Sequence, residues 1–534
     1  MNFIVHYENR NSLPFFAADN FMVQGTFLKE NEFLPYDRIL SDLETSSPEE
    51  FIKSANGFFN LVFQTSGTLF AAVDCIRSLP LFYSVKDEDC YISDSAEWIA
   101  DTINIKDFDE LAETEFRCTG YVTGEDTLIP EIKQIQAGEY IKISKCEGKF
   151  TITKNNYFVF AHTEPKELFS KEEYMRQLDS AMDKCIDNLI RFASGRQIVI
   201  PLSGGRDSRF IAMKLLQKKY ENILCYTYGS EEHSEALLSR CVADTLGLKW
   251  VFVKYGDGMP DFLYGTDTGL GYQRMNHNYV SRPHLQDLYA VYELKRNNFV
   301  EPDCVFVPGH TGDFVSGGHI PSITFMKNLD KKNVLVDAVY GKHYSLACNL
   351  SGKNIKNLKN KILHSLNSKD GFLTSVEFAD SYEEWDWRNR QAKFIVNSVR
   401  VYDFFGFSWW LPFWDRNFLE FWEHVPLEYR YERVLYNEFV DYLSEKAGIP
   451  VRKTIKTKTY YALRRILFLR KFKNLRDYYF SKFCCYNKRL LKKKRASSFL
   501  RTFFTENMML KFCKCTNELN GILINLFFEN FDRK

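Results

Sequence analysis

Six consecutive residues, Ser203-Gly204-Gly205-Arg206-Asp207-Ser208, carry the strongest chemical signal in the chain. They follow an apolar run, Gln197 to Leu202 (QIVIPL), that reads as a buried strand, and they lead into Asp207 to Lys218, whose spacing predicts a helix. A strand that enters a helix through two glycines makes an anion site. Without Cβ atoms the backbone can approach a ligand closely, and free N–H groups and the helix dipole face it. Ser203 and Ser208 can donate hydroxyl hydrogens to phosphate oxygens. Asp207 would repel those oxygens, so an acidic residue in the loop implies a divalent cation such as Mg²⁺ between them. The plain alternative is a tight turn whose glycines serve only the chain path. Five fixed positions of S-G-G-x-D-S arise by chance in such a chain with a probability on the order of one in a thousand.

The elements around this loop predict a layered α/β protein. Across roughly the first 160 positions, short runs such as Gly57 to Phe63, Thr68 to Val73, Leu81 to Tyr83, Tyr91 to Ile92 and Glu139 to Ile143 alternate with turn residues, the pattern of a sheet-rich module. The polar stretch Ala161 to Glu173, with Pro165 inside it, marks a boundary. Helical spacing over Glu173 to Phe192 then precedes the QIVIPL strand. A second strand over Ile223 to Tyr228, a helix over Ser234 to Leu246 and a strand over Lys249 to Val253 follow. Strands alternating with helices of this length predict βαβ units and a parallel sheet. The expected domains are residues 1–160, 161–460 and a basic helical extension over 461–534. Walker A, GxGxxG, HExxH and GxSxG patterns are all missing from the sequence.

Composition narrows the class without naming a function. The 534 residues carry 70 Lys and Arg against 69 Asp and Glu, so the whole chain is not a polyanion binder. With 45% hydrophobic residues it falls in the globular range, and 16% aromatic residues point to thick cores. Thirteen cysteines in spacings that match no zinc site fit reduced thiols in the cytoplasm. Glu8 and Arg10 interrupt any apolar leader in the first sixteen residues, so a soluble protein is expected. One segment breaks the charge balance: Ala462 to Arg495 holds 13 Lys or Arg and a single Asp. Three readings stay open for it: peripheral contact with an anionic membrane surface, a nucleic-acid patch, which is the least favoured, and a solvated helical face.

SGGRDS resembles the pyrophosphatase loop of the ATP-splitting enzymes that form adenylates, a group that includes asparagine, argininosuccinate, GMP and NAD synthetases. Val305 to His319 (VFVPGHTGDFVSGGH) resembles the asparagine synthetase segment S-G-E-G-A-D-E-x-x-x-G-G-Y, and Leu411 to Trp422 (LPFWDRNFLEFW) its P-F-L-D segment. Asp74-x-x-Arg77-x-x-Pro80-Leu81-Phe82-Tyr83 and Ile135-x-Ala137-Gly138-Glu139-Tyr140 follow the order of that family's glutaminase-type module. The resemblance implies a degenerate N-terminal α+β sandwich of the N-terminal-nucleophile glutaminase type, followed by an α/β parallel-sheet synthetase domain like the adenine-nucleotide hydrolases. It implies ATP and Mg²⁺, with Leu202, Ser203, Gly204, Gly205, Asp207, Ser208, Tyr226, Tyr228, Gly229 and Gly309 around the nucleotide. Asp207 and Asp313 would hold the metal, and Arg433 and His310 would act in catalysis.

Four departures reshape that expectation. Position 2 is Asn2 where glutamine-using members carry the nucleophilic Cys, so this chain should not hydrolyse glutamine. His310 replaces the Glu of G-E-G, Phe314 replaces the second acid of A-D-E, and Arg433 in YERVLYNEF stands where the family has a catalytic Lys. β-Lactam synthetases also lack the terminal Cys. Synthetase-like proteins encoded with bacterial surface-polysaccharide genes resemble this chain more closely, through Trp385 to Arg400 (WDWRNRQAKFIVNSVR). The expected activity is an AMP-forming ligase that joins a small-molecule or sugar carboxylate, such as a uronic acid, to ammonia or an amine. The alternatives are a nucleotide-binding pseudoenzyme and a tRNA-modifying ATP pyrophosphatase.

Overall fold

The computed structural model describes residues 2–146, 148–232, 234–256, 258–325, 331–347, 350–366, 374–451, 523–526 and 528. The basic segment 462–495, and with it the membrane and nucleic-acid readings, lies outside the described residues. No helix among the described residues is long and apolar enough to cross a membrane.

The first 156 residues build two facing sheets with helices on both outer sides. One sheet has four strands and the other seven. Strand alternation explains the layering, because successive side chains point to opposite faces. From strand Asn56–Gln64, Phe59, Leu61 and Phe63 pack outward against Ile39, Leu43, Phe51 and Ile52 of two helices. Val62 of the same strand joins Leu69, Ala71, Tyr83, Cys90, Ile92 and Ile141 in the layer between the sheets. On the far side, Phe82 meets Ile99 and Phe116 of helices Ala96–Ile103 and Glu110–Thr119. Residues Ile524 and Phe528 return to that same layer, and the Arg117 guanidinium stacks on the Phe528 ring at 4.0 Å. The α+β sandwich expected from the sequence is therefore present as an architecture. Asn2 opens an edge strand, its amide nitrogens donating to Asp89.

Beyond the 23-residue helix Lys171–Ala193 comes a wholly parallel five-stranded sheet. Its order in space is Lys249–Lys254, Ile223–Gly229, Ile198–Pro201, Val305–Phe306 and Ser408–Trp409. Ile198, Val199, Ile200, Leu224 and Cys225 are buried, as a sheet covered on both faces requires. The sandwich and this sheet share one core. Leu13, Phe58, Cys75, Leu79 and Phe158 belong to the same apolar cluster as Phe306, Trp387, Trp409 and Trp414. Polar contacts reinforce the join. The Ser12 N–H and hydroxyl both donate to Asp403 at 2.8 and 2.7 Å, the Trp387 indole donates to the Cys75 carbonyl at 2.8 Å, and Arg400 donates to the Ser78 carbonyl at 2.8 Å.

Candidate functional site

Sheet topology fixes where a ligand would sit. From Ile198–Pro201 the chain winds outward through Ile223–Gly229 to Lys249–Lys254, then crosses back so that Val305–Phe306 pairs with the other side of the first strand, Val199 opposite Phe306. In open α/β sheets, ligands bind at the carboxyl ends of the strands beside the two loops that leave such a reversal point. One of those loops is Leu202–Gly205. The other is Pro308–Gly312.

Gly205 caps the helix Arg206–Gln217, and no side chain bonds to its first turn, so the positive end of the helix is bare. Within the loop the Ser203 N–H donates to Ser208 Oγ and the Gly205 N–H to Ser203 Oγ, each at 3.1 Å. Both serines are thus held with their hydroxyls over the helix end. Gly309 lets the second loop press against this helix: a Cβ there would lie 2.6 Å from the Ser208 nitrogen. A Cβ on Gly312 would lie 2.9 Å from the Asp207 carboxyl carbon, which brings the strand loop bearing Asp313 directly alongside Asp207.

Arg433 joins the two loops. Its Nη2 donates to Asp207 Oδ1 and its Nε to Ser316 Oγ at 2.9 Å, while its guanidinium stacks on Tyr436 at 4.4 Å. Burial raises the Asp207 carboxyl above its usual range, against the pull of Arg433 and with the negative charge of Asp313 adding to the rise. Burial also opposes charge on Asp313, but the hydrogen bond and charge of His319, with Arg433 and Arg390 behind them, hold that carboxyl at about 2. Backbone strain concentrates here. Thr311, Glu432 and Arg433 adopt φ of +83°, +58° and +61°, conformations that cost non-glycine residues about 1–3 kcal/mol each. The Trp414 indole donates to Thr311 Oγ1 at 3.1 Å and helps to hold the first of these turns.

Two neighbouring carboxylates, one ionised and half-exposed, suit Mg²⁺, which takes one or two carboxylates together with substrate phosphates. Among the described residues no group of three or more His, Cys, Asp or Glu forms an all-protein metal cage.

Two histidines frame the other end of the Asp313 loop. His319 Nε2 lies 3.3 Å from Asp313 Oδ2, and its Nδ1 lies 2.6 Å from the fully buried Asp386. Burial works against protonation of His319, but Asp386 and Asp313 raise it to about 9. His310 behaves oppositely: burial lowers it to about 4, and its Nε2 is 2.9 Å from Ser398 Oγ. His310 is therefore a neutral imidazole at pH 7, and the same burial makes it a weak base.

No family model matches the sequence, and no curated protein is similar to it in sequence. Among solved structures, an NH3-dependent NAD synthetase from Campylobacter jejuni subsp. jejuni NCTC 11168 in complex with the nitrate ion is similar at 14% identity, over 36% of this chain and 74% of that chain, with a TM-score of 0.19.

Most residues singled out in the sequence converge on the crevice: Leu202, Ser203, Gly204, Gly205, Asp207, Ser208, Gly309, His310, Asp313 and Arg433 all lie on its two loops or touch them. Tyr226 does not. Its ring is wholly buried against Phe306, so it is a core residue whose side chain cannot reach a ligand. Tyr228 lies at the strand end, where its hydroxyl donates to the buried Asp287 and its ring stacks on Tyr255 at 4.9 Å. Gly229 ends that strand at φ +119°. Phe314, in place of an acid, packs among Phe160, His319 and Trp414. Sequence reasoning missed Ser316, His319, Asp386 and Ser398. Only the G-G-H step beside Asp313 pointed toward any of them.

Proposed function

We propose that this chain is an ATP-dependent ligase that adenylates a carboxylate, releases pyrophosphate and passes the acyl group to ammonia or an amine. The observation that carries this reading is the convergence of Asp207, Asp313 and Arg433 beside a bare helix N-terminus at the reversal point of the parallel sheet. The likeness to asparagine synthetases in motif order, and an N-terminal sandwich of the glutaminase type without its nucleophile, belong to the same proposal. So do the cytoplasmic setting and a peripheral membrane role for residues 462–495.

The residues divide the work by their chemistry. Backbone N–H groups of Gly204, Arg206 and Asp207 and the hydroxyls of Ser203 and Ser208 bind the outer phosphates of ATP. Asp207 and Asp313 would hold Mg²⁺, which when bound supplies positive charge against those phosphates. Arg433, kept protonated by Asp207, opposes the negative charge that grows on the leaving pyrophosphate. His310, a neutral imidazole, can accept a hydrogen bond from the attacking amine and orient it.

The test is pyrophosphate release from Mg-ATP in the presence of candidate acids and ammonia. Acid-dependent release in the wild type, lost at least a hundredfold in Asp207→Asn, is the expected result. A nucleotide-binding pseudoenzyme is the second reading, favoured by the direct Arg433–Asp207 ion pair, which closes one carboxylate off. Tight nucleotide binding with no release over a broad acid panel would support it.

A further inference from the structure

One helical run passes along the loop from His310 to Asp313 and presents residues to it every fourth position. Asp386 ends the helix Ser375–Asp386, Arg390 and Phe394 lie in the π-helix Trp387–Ile395, and Ser398 lies in the following turn. Contacts at both ends show which way this row faces. Asp386 meets His319, which meets Asp313, and Ser398 meets His310. Between them, Phe394 packs on the His284 ring at 5.6 Å and under the Arg282 guanidinium at 4.7 Å.

Arg390 is the fourth member of the row and differs from the rest. Among the described residues no hydrogen bond or ion pair holds its half-buried guanidinium. Arg388, two positions earlier, faces away, stacked on Trp387 and 3.8 Å from Glu384. A guanidinium with no hydrogen-bonded anion is free to take a ligand, and a bidentate carboxylate is the partner its fork fits best. A second unmet group lies close by: the buried His284 Nδ1 has no hydrogen-bond partner. The charge of Arg390 reaches both His284 and Asp313, so the guanidinium stands between the imidazoles and the metal-binding end of the crevice.

We propose that Arg390 binds a carboxylate of the acceptor acid on the side of the helix row where Phe394, His284 and His310 lie, and so selects anionic acceptors. The proposal rests on the ligase reading and names the residue that would choose its substrate class. A singly charged planar carboxylate suits the place better than a phosphate, because Asp313 and Asp386 lie at one end of the same row and repel a dianion.

Calorimetric titration of the full-length protein tests this, with succinate, benzoate and D-glucuronate as probes and D-glucose and benzamide as uncharged counterparts. Titrations are made with and without Mg²⁺ and α,β-methylene-ATP. At least one acid is expected to bind and the uncharged compounds are not. Arg390→Gln should weaken the acid at least tenfold and leave nucleotide affinity within twofold, and Arg390→Lys should recover part of the loss. Equal acid binding by wild type and Arg390→Gln overturns the proposal, as does a wild type that binds nucleotide but none of the acids. A tenfold loss of nucleotide instead of acid in Arg390→Gln also overturns it, by assigning Arg390 to the phosphates. A wild type that binds no nucleotide, yet loses acid binding in Arg390→Gln, defeats the ligase reading and leaves the carboxylate site standing.

Discussion

Gly309→Ala is the sharpest test of how the crevice is assembled. The added Cβ would lie 2.6 Å from the Ser208 nitrogen, 2.9 Å from its Cα and 3.0 Å from the Asp207 carbonyl carbon. Ordinary contact begins at 3.4 Å, so the methyl group is about 0.8 Å too close to the first of these atoms. All three are main chain at the start of helix Arg206–Gln217, and none can rotate away. Gly309 itself has no positive φ, so the penalty is steric alone. Overpacking of this kind costs about 1–3 kcal/mol when side chains absorb it, and here the backbone must move instead. We expect a folded protein whose affinity for a fluorescent ATP analogue with Mg²⁺ falls at least tenfold, because the loop is pushed off the strand turn that carries Asp313. Gly312→Ala is the comparison. Its Cβ meets the Asp207 carboxyl group at 2.9 Å and the Phe413 ring at 3.2 Å, so side chains and not the backbone must yield, and because that carboxylate is the one assigned to Mg²⁺ the loss should appear with Mg²⁺ and shrink without it. Wild-type affinity in Gly309→Ala would refute the claim that these two loops form one site.

Arg433→Met should lower pyrophosphate release by 10²–10³-fold, about 2.7–4 kcal/mol of transition-state stabilisation, with a smaller change in nucleotide affinity; steady-state kinetics would show an unchanged rate if Arg433 only shields Asp207. Glu383 and Arg430 form a fully buried pair at 2.7 Å, so Glu383→Gln, by leaving a buried cation, should cost about 3–5 kcal/mol in thermal or denaturant unfolding. Burial lowers His284 to about 3 and His343 to about 4, so both stay neutral when folded but take up protons near 6.5 when unfolded. The unfolded chain then binds more protons between about pH 4 and 6.5, and stability falls as pH drops through that window, by about 2 kcal/mol per histidine at pH 5. Melting temperatures at pH 7.5 and 5.0 measure this, and His343→Gln should shrink the difference. Phe528→Ala should destabilise by about 3–5 kcal/mol through loss of its buried contacts with Phe116 and Arg117, a loss that hydrogen exchange would place in helix Glu110–Thr119.

Local pattern predicted three of the five strands of the parallel sheet and missed the two-residue strands Val305–Phe306 and Ser408–Trp409. The helix over Ser234–Leu246 and the strands over 198–201, 223–229 and 249–254 are set by apolar runs and breakers within a few residues of one another. The SGGRDS loop was legible because its chemistry lies in consecutive positions. Tyr226 was not. A strand buried on both faces gives no alternation to say which tyrosine faces a ligand and which faces the core. His319 escaped notice because its partner Asp386 is 67 residues away, a separation that only the tertiary fold closes. Arg433 was expected near the phosphates, but its ion pair with Asp207, 226 positions earlier, needs two consecutive left-handed residues that no propensity suggests. The segment Trp385 to Arg400 stood out only through a resemblance, which gave none of its residues a role. Which of Arg388 and Arg390 turns inward depends on contacts made by the whole helix.

The shared core between the sandwich and the parallel sheet carries a consequence for how this protein can be divided. Cutting the chain near residue 165 would strip cover from Trp387, Trp409 and Trp414, so a fragment starting there should clump when produced alone. The leading third therefore acts as a keel for its neighbour, whatever reaction it does or does not perform. Loss of an ancestral activity would leave such a keel in place, because deleting it would sink the partner as well.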